Sequence, residues 1–396
     1  MKYKVLDAFA GAGGFSLGFQ LSGYFDIVGA IEIDEWAAST FQYNHPKTKV
    51  IVKNILDVTD EELLENFSGI DFLLGGPPCQ GFSICNKNAG DPKDPRNSLF
   101  REFLRVARVL SPSVVVMENV PNLLKAKTDS KELVVSIIKN ELEELGYNVE
   151  YTVLEATNYG VPQIRRRVVI IGSKKPINQF FPNATHCVIQ DNKGLFEDLN
   201  ELPLCPTLWE AISDLPRINA CEGSEEMDYM DNPTNDYQSM LREGATKVFN
   251  HTAMNHSARM VERFAAMKCG ESTEDVPDEL KPLKRNGNGE HSEKVYGQNN
   301  RRMFPNRPCH TIAASFYANF VHPYLNRNFT PREGARIQSF PDWYKFLGKP
   351  TTPSKSLLKK EGRLDDIHLC QYNQIGNAVP PLLSKALAIN LYQQLC

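Results

Sequence analysis

The chain has 396 residues, 44 lysines and arginines and 48 aspartates and glutamates, for a formal net charge of −4; it is long enough for one large domain with an insertion, or for two. No apolar stretch reaches the roughly 18 residues of a membrane span and the opening MKYKVLDAFAGAGG carries no signal-peptide pattern, so the expectation is a cytoplasmic protein with no membrane association. Nine scattered cysteines without a C-x-x-C pair exclude a disulfide framework and a zinc ribbon, and no metal is expected.

Through residue 172 the pattern alternates between strand and helix. YKVLDAF reads as a strand, GAGG as a tight loop and GFSLGFQLSGY as a helix; IVGAIEI is the next strand and IDFLLGG another. NSLFREFLRVARVL sets Leu99, Phe103, Val106 and Leu110 on one helical face, and Pro112 stops it before the strand SVVVMENV. KELVVSIIKNELEELG repeats the arrangement with Val134, Ile137, Ile138, Leu142 and Leu145, closed by Gly146. PQIRRRVVIIG reads as one more strand. This alternation predicts an α/β fold built on a doubly wound, mostly parallel sheet.

After Gly172 the composition shifts. Residues 173–300 are rich in Pro, Asn, Asp and Gly, with isolated helical pieces such as TLWEAISDLP and HSARMVERFAAM, which predicts a second, smaller, irregular domain. The last stretch, NQIGNAVPPLLSKALAINLYQQL, is again apolar and helical and is expected to return to the first domain. The boundaries read in this way are 1–180, 181–365 and 366–396. Lys281, Lys284, Arg285, Lys294, Arg301, Arg302 and Arg307 crowd one stretch while acids crowd GSEEMDYMD at 223–231. That asymmetry permits a polyanion partner and equally suits a solvated face.

Ligands of a doubly wound sheet sit outside the carboxyl ends of its strands, and three features fall there. The first is the loop Phe9-Ala-Gly11-Ala-Gly13-Gly14 with Glu32 ending the second strand: glycines admit close backbone approach, and an acid about 20 residues on can hold a ribose. The second is LLGGPPCQ, where Pro77 and Pro78 restrict the backbone ahead of Cys79, so that the thiol is presented rather than packed. The third is Glu118-Asn119-Val120, an acid closing an apolar strand, which calls for a bound polar group or a cation. If QIRRR is a strand, Gln163, Arg165 and Arg167 share one face and supply that cation, with Arg166 on the other.

FAGAGG, GGPPCQGFS, ENV, QIRRR and QIGNAVP, in this order, closely resemble the signature motifs of DNA cytosine-5 methyltransferases, and RPCHTIAASF with FTPREGARIQSFPD resembles the family's penultimate motif. The resemblance spans nearly the whole chain apart from the middle domain. It implies transfer of a methyl group from S-adenosylmethionine to carbon 5 of a cytosine flipped out of a specific short double-stranded DNA site, through a covalent adduct with Cys79. It implies further that Glu118 holds ring nitrogen 3, that Arg167 holds the exocyclic oxygen, and that Arg165 supports the catalytic loop and a nearby phosphate. Phe9, Gly11, Gly13, Gly14, Glu32 on the ribose, Ile33 beside the adenine, Asn54, Ile55, Pro78, Asn377 and Val379 are implied as cofactor residues. Where many relatives carry an acid near the adenine amine, this chain has Asn54-Ile55. The implied setting is a bacterial restriction-modification system with a cognate endonuclease, the enzyme acting as a monomer.

Three rival readings exist. A nicotinamide-dependent oxidoreductase gives no reason for PPCQ, ENV and QIRRR together. A tRNA-methylating relative of the same family shares the catalytic motifs, but that branch carries a Cys-Phe-Thr motif in the middle region and this chain has only Cys309-His-Thr. A non-catalytic DNA-binding paralogue has no use for Cys79, Glu118 and Arg167.

Overall fold

Strand β1 (Tyr3–Ala8) alternates its side chains between two cores, with Leu6 in one buried cluster and Val5 in the other. A strand covered on both faces belongs inside a parallel sheet. The computed structural model describes residues 2–78, 99–128, 131–188, 202–284, 299–353 and 355–396. Two compact units divide the chain: Met1–Gly160 with Arg165–Leu204 and Ala378–Cys396, and Val161–Ile164 with Cys205–Asn377. These borders differ from those expected at 180/181 and 365/366.

In the first unit, β1 leads through α1 (Gly14–Leu21), β2 (Phe25–Glu32), α2 (Glu35–Asn44), β3 (Lys49–Val52) and α3 (Asp60–Phe67) to β4 (Phe72–Gly75). Then come α4 (Leu99–Leu110), β5 (Val114–Asn119), α5 (Val134–Glu144) and β6 (Asn148–Glu155). A two-residue strand β7 (Gln163–Ile164), which belongs to the second unit, precedes β8 (Arg166–Ser173). The sheet order is β3-β2-β1-β4-β5-β8-β6. The chain steps outward from β1 to β3 and crosses back to lay β4 on the other side of β1, so the loops after β1 and β4 diverge at the switch point where such sheets bind ligands.

The sheet departs from parallel at one strand. β8 runs antiparallel between β5 and β6, with Glu118 opposite Val169 and Leu154 opposite Arg167. Reversal brings the amino end of β8, with its arginines, to the carboxyl ends of β5 and β6. PQIRRRVVIIG is thus not one strand as expected: β7 pairs with Cys309–His310 in the second unit, and β8 starts at Arg166. Burial still alternates along it, with Gln163 and Arg165 inside and Ile164 and Arg166 outside.

Helices cover both faces. Phe103, Val106 and Leu110 of α4 and Val134, Ile137, Ile138 and Leu142 of α5 are buried in one core, as their spacing predicts, and Gly146 takes a φ of 87° just past α5. On the other face Phe15 and Phe19 of α1 meet Leu383, Leu387 and Leu391 of the terminal helix Pro381–Leu395. A Cβ at Gly18 would overlap Ser384, so that glycine sets how closely these two helices pack.

The second unit holds an antiparallel pair, β9 (Gly223–Met227) and β10 (Val248–Thr252), and short helices. Its centre is ionic. Arg336 bridges Asp214 at 2.8 Å and Asp342 at 2.6 Å, and Arg327 grips Glu333 through both oxygens at 2.8 and 2.7 Å, all four of these contacts buried. Burial works against the Glu333 carboxylate, but Arg327 outweighs it and holds the pKa at about 2. Thr330 and Glu333 also form a capping box on the helix Pro331–Ile337, so the charges of FTPREGARIQSFPD are internal struts.

Candidate active site

The turn after β1 is held from below by β2. Phe9 and Ala10 both donate their N–H to the Ile31 carbonyl at 3.1 Å, and Gly13 donates to the Ala10 carbonyl at 2.9 Å. Phe9, Gly11 and Gly13 have φ of 69°, 54° and 89°, a left-handed run that glycine adopts freely and that strains Phe9. Gly14 opens α1. A Cβ on Gly11 would meet nothing within 4 Å, which leaves open space above the turn.

Glu32 locks this turn. One carboxylate oxygen accepts the Gly11 N–H at 2.7 Å and the other the Asp34 N–H at 2.8 Å. Burial raises its pKa, and these N–H donors work against that rise. Beyond it, Ile33 is 63% exposed at the end of β2, and further apolar side chains are exposed at Val52, which ends β3 opposite Glu32, and at Leu56, which follows β3. Asn54 turns its amide oxygen to the Leu56 N–H at 3.2 Å and Ile55 is buried, so the amide caps its own turn. Open space over glycine, a carboxylate at the second strand's end and an exposed apolar rim fit an adenosine-type cofactor.

The second half of the site lies at the ends of β4, β5 and β8. A Cβ on Gly75 would sit 2.6 Å from the Ala8 carbonyl and 2.7 Å from Phe103, so only glycine fits where β4 leaves the sheet. Asn119 then donates from Nδ2 to the Pro77 carbonyl at 2.9 Å, tying ENV to GGPP. Pro78 is the last described residue there, and Cys79 lies outside the described residues. Glu118 Oε1 meets Arg167 Nε at 2.7 Å with both side chains nearly buried, and Glu118 Oε2 lies 3.4 Å from where a Cβ on Gly76 would stand. The acid of ENV and an arginine of QIRRR are therefore partners.

Arg165 has a different task. It is 1% exposed and donates from Nη2 to the Ala378 carbonyl at 3.1 Å, bracing QIRRR against QIGNAVP. Burial, and then the like charge of Arg167, push its pKa down, while Glu118 supports the charge. Gln163 spends its amide within the second unit, on Gln338 Oε1 at 2.9 Å and the Ile312 N–H at 2.9 Å. Val379 is buried in the core that holds Ala10 and Phe15, whereas Asn377 is exposed at the end of a helix in the second unit.

Sequence reasoning passed over Asp7 and gave Asn119, named within ENV, no task of its own. Asp7 is fully buried on β1, and Ser16 in the first turn of α1 donates its hydroxyl at 2.6 Å and its backbone N–H to it. Burial drives its pKa up to about 7; the Ser16 bonds oppose this and Glu32 adds to it. The signal was present as a lone acid in YKVLDA, a strand otherwise apolar toward its carboxyl end. Among the described residues no group of three His, Cys, Asp or Glu side chains is placed to hold a metal, and no helix is long and apolar enough to cross a membrane.

Comparison with known proteins agrees with this geometry. The chain is 48% identical over 387 residues to Type II methyltransferase M.DdeI of Desulfomicrobium norvegicum, covering 97% of this chain and 87% of that one. It is 33% identical over 391 residues to Type II methyltransferase M1.HphI of Haemophilus parahaemolyticus, covering 98% and 86%. Its fold is similar to the crystal structure of a DNA modification methyltransferase encoded within a prophage (E. coli), with TM-score 0.70, 26% identity, and 100% and 99% of the two chains covered. The family model for C-5 cytosine-specific DNA methylases matches residues 3–393. With the glycine turn on Glu32 and the Glu118–Arg167 pair set around one sheet edge, the chain belongs to the C-5 cytosine-specific DNA methylase family and is a DNA cytosine-5 methyltransferase.

Proposed function

We propose that this enzyme methylates carbon 5 of a cytosine flipped out of a short double-stranded DNA site, using S-adenosylmethionine, as the modification partner of a restriction endonuclease. The Glu118–Arg167 pair carries the reading: a carboxyl group held at the carboxyl end of β5 beside the Gly76–Pro78 turn. Restriction-modification context rests on relatives named as Type II methyltransferases, and action as a cytoplasmic monomer belongs to the same reading.

Carbon 5 of cytosine is a poor nucleophile until carbon 6 is attacked. The Cys79 thiolate forms a bond to carbon 6, the ring's electrons shift toward nitrogen 3, and Glu118 holds the proton there, leaving carbon 5 electron-rich. Arg167 keeps Glu118 oriented and faces the exocyclic oxygen. For release, the carbon 5 proton goes to water, the carbon–sulfur bond breaks with its electron pair returning to the thiolate, and the proton on nitrogen 3 goes back to Glu118. When bound, the cofactor supplies an electrophilic methyl group on a sulfonium. Phe9, Gly11, Gly13, Gly14, Glu32, Ile33, Asn54, Ile55, Pro78 and Val379 would hold it, with Asn377 nearby in sequence.

Bisulfite sequencing of DNA from cells expressing the chain tests this reading. Methylated cytosines in one recurring short context are expected. An unmodified genome, with labelled methyl groups entering tRNA instead, would replace it by the RNA-directed alternative.

A further inference from the structure

The second unit contains a half-open cleft of about 310 Å³ that none of the site motifs accounts for. Its walls are aromatic: Trp209 and Tyr324 meet edge to face with centroids 4.6 Å apart, and Tyr324 is 58% exposed. Arg327 and Glu333 form the floor and neutralise each other. Arg217 stands exposed at the lining and makes no hydrogen bond or ion pair with other described residues. The volume lies at the small end of ligand sites and suits one flat ring system.

One further group points to what that ring carries. His322 is 4% exposed, and its Nδ1 accepts the N–H groups of Tyr324 at 3.1 Å and Leu325 at 3.0 Å, so the ring hydrogen resides on Nε2. Glu333 Oε1 is 3.7 Å from that nitrogen, beyond hydrogen-bond reach, and Arg327 already engages both Glu333 oxygens. The cleft lining thus includes the His322 Nε2–H, with Glu333 Oε1 no nearer than 3.7 Å, beside two aromatic rings and an unpaired cation. A neutral acceptor-bearing ring attached to an anion matches all three features, which is the chemistry of a nucleotide.

We propose that this cleft receives one unstacked nucleotide of a DNA strand, its base against Trp209 and Tyr324, a base acceptor on His322 Nε2 and its phosphate at Arg217. The inference rests on the DNA-directed reading above and adds a second point of contact, separate from the cytosine that is methylated. The cleft has room for a lone nucleobase, and the phosphate that links it to the strand lies at the rim where Arg217 is free.

The test uses the full chain labelled with 5-fluorotryptophan; its three tryptophans give three fluorine resonances, and W209F assigns the one from Trp209. The ligands are hexathymidylate, which offers no cytosine to the catalytic centre, and a base-free hexamer of the same backbone. Hexathymidylate should shift the Trp209 resonance with a dissociation constant at least tenfold below that of the base-free hexamer. Arg217→Gln and Tyr324→Ala, both at exposed positions, should each weaken hexathymidylate binding several-fold. Equal affinity for the two hexamers, or unaltered binding by both variants, overturns the proposal. If the wild-type chain methylates duplex DNA and the Trp209 resonance still ignores hexathymidylate, the cleft assignment alone falls; if no methyl transfer to DNA occurs, the functional reading falls instead.

Discussion

Replacing Asp7 by asparagine removes a buried charge from beneath the glycine turn while keeping the shape of the side chain. Burial raises the Asp7 pKa from 3.8 to about 7. The folded protein therefore binds a proton that the unfolded chain releases anywhere between those values. The stability tied to this proton is fully present below pH 3.8, declines as pH rises, and is lost above about pH 7. Over the whole window the shift corresponds to about 4 kcal/mol, and between pH 5 and 8 to about 3 kcal/mol. Asp7→Asn lacks the titration, so its stability relative to wild type should climb by about 3 kcal/mol across that interval. Urea unfolding of 5-fluorotryptophan protein reads this directly, because Trp36 lies in the first unit and Trp209 and Trp343 lie in the second. Parallel pH curves for the two proteins, followed on the Trp36 resonance, would refute the buried-charge account.

Glu118→Gln should leave the fold intact and lower methyl transfer by about 10²-fold or more, since the proton at nitrogen 3 loses its charged partner; a radiolabelled methyl assay at saturating DNA measures it, and near-normal turnover would exclude the assigned role. Asp214→Asn strips Arg336 and Arg242 of a shared carboxylate. Unfolding of the second unit, read on Trp343, should become easier by about 3–5 kcal/mol, and an unchanged midpoint would show that the buried network is not a strut. Burial lowers the pKa of His251 to about 4 and of His322 to about 3. The unfolded chain takes up protons below about pH 6.5 that these side chains refuse, so the second unit should lose up to about 2.7 kcal/mol per pH unit between pH 6 and 4. A flat stability profile there would contradict their neutral, buried state.

Much of the first unit is legible in the sequence because helical spacing has a single geometric meaning. Phe103, Val106 and Leu110 had to face one core, and they do. Strand direction is another matter. VVVMEN and RRVVII are both apolar runs, and nothing in such a run states whether its neighbour is parallel or antiparallel, so the reversal of β8 and the split after Ile164 emerged only in three dimensions. The unit border differs for another reason. Ile177 and Phe180 are buried in the first core, inside the border at 180, but the polar segment beyond them still belongs to the first unit as far as Leu204, with Thr185 and His186 donating their N–H groups to the Asn158 carbonyl. At the site, Glu118 and Arg167 could be paired from the cost of burying an acid alone. Asp7 could not, because its partner is a serine hydroxyl rather than a charge.

Everything assigned to this enzyme converges on a sulfur adding to a pyrimidine. DNA in which 5-fluorocytosine replaces cytosine tests that step, because fluorine at carbon 5 blocks the final proton loss and leaves the adduct in place. Incubation with S-adenosylmethionine should yield a covalent protein–DNA complex whose mass-mapped linkage is Cys79. Complete methyl transfer to ordinary DNA with no such complex, or a linkage at another residue, would contradict the account.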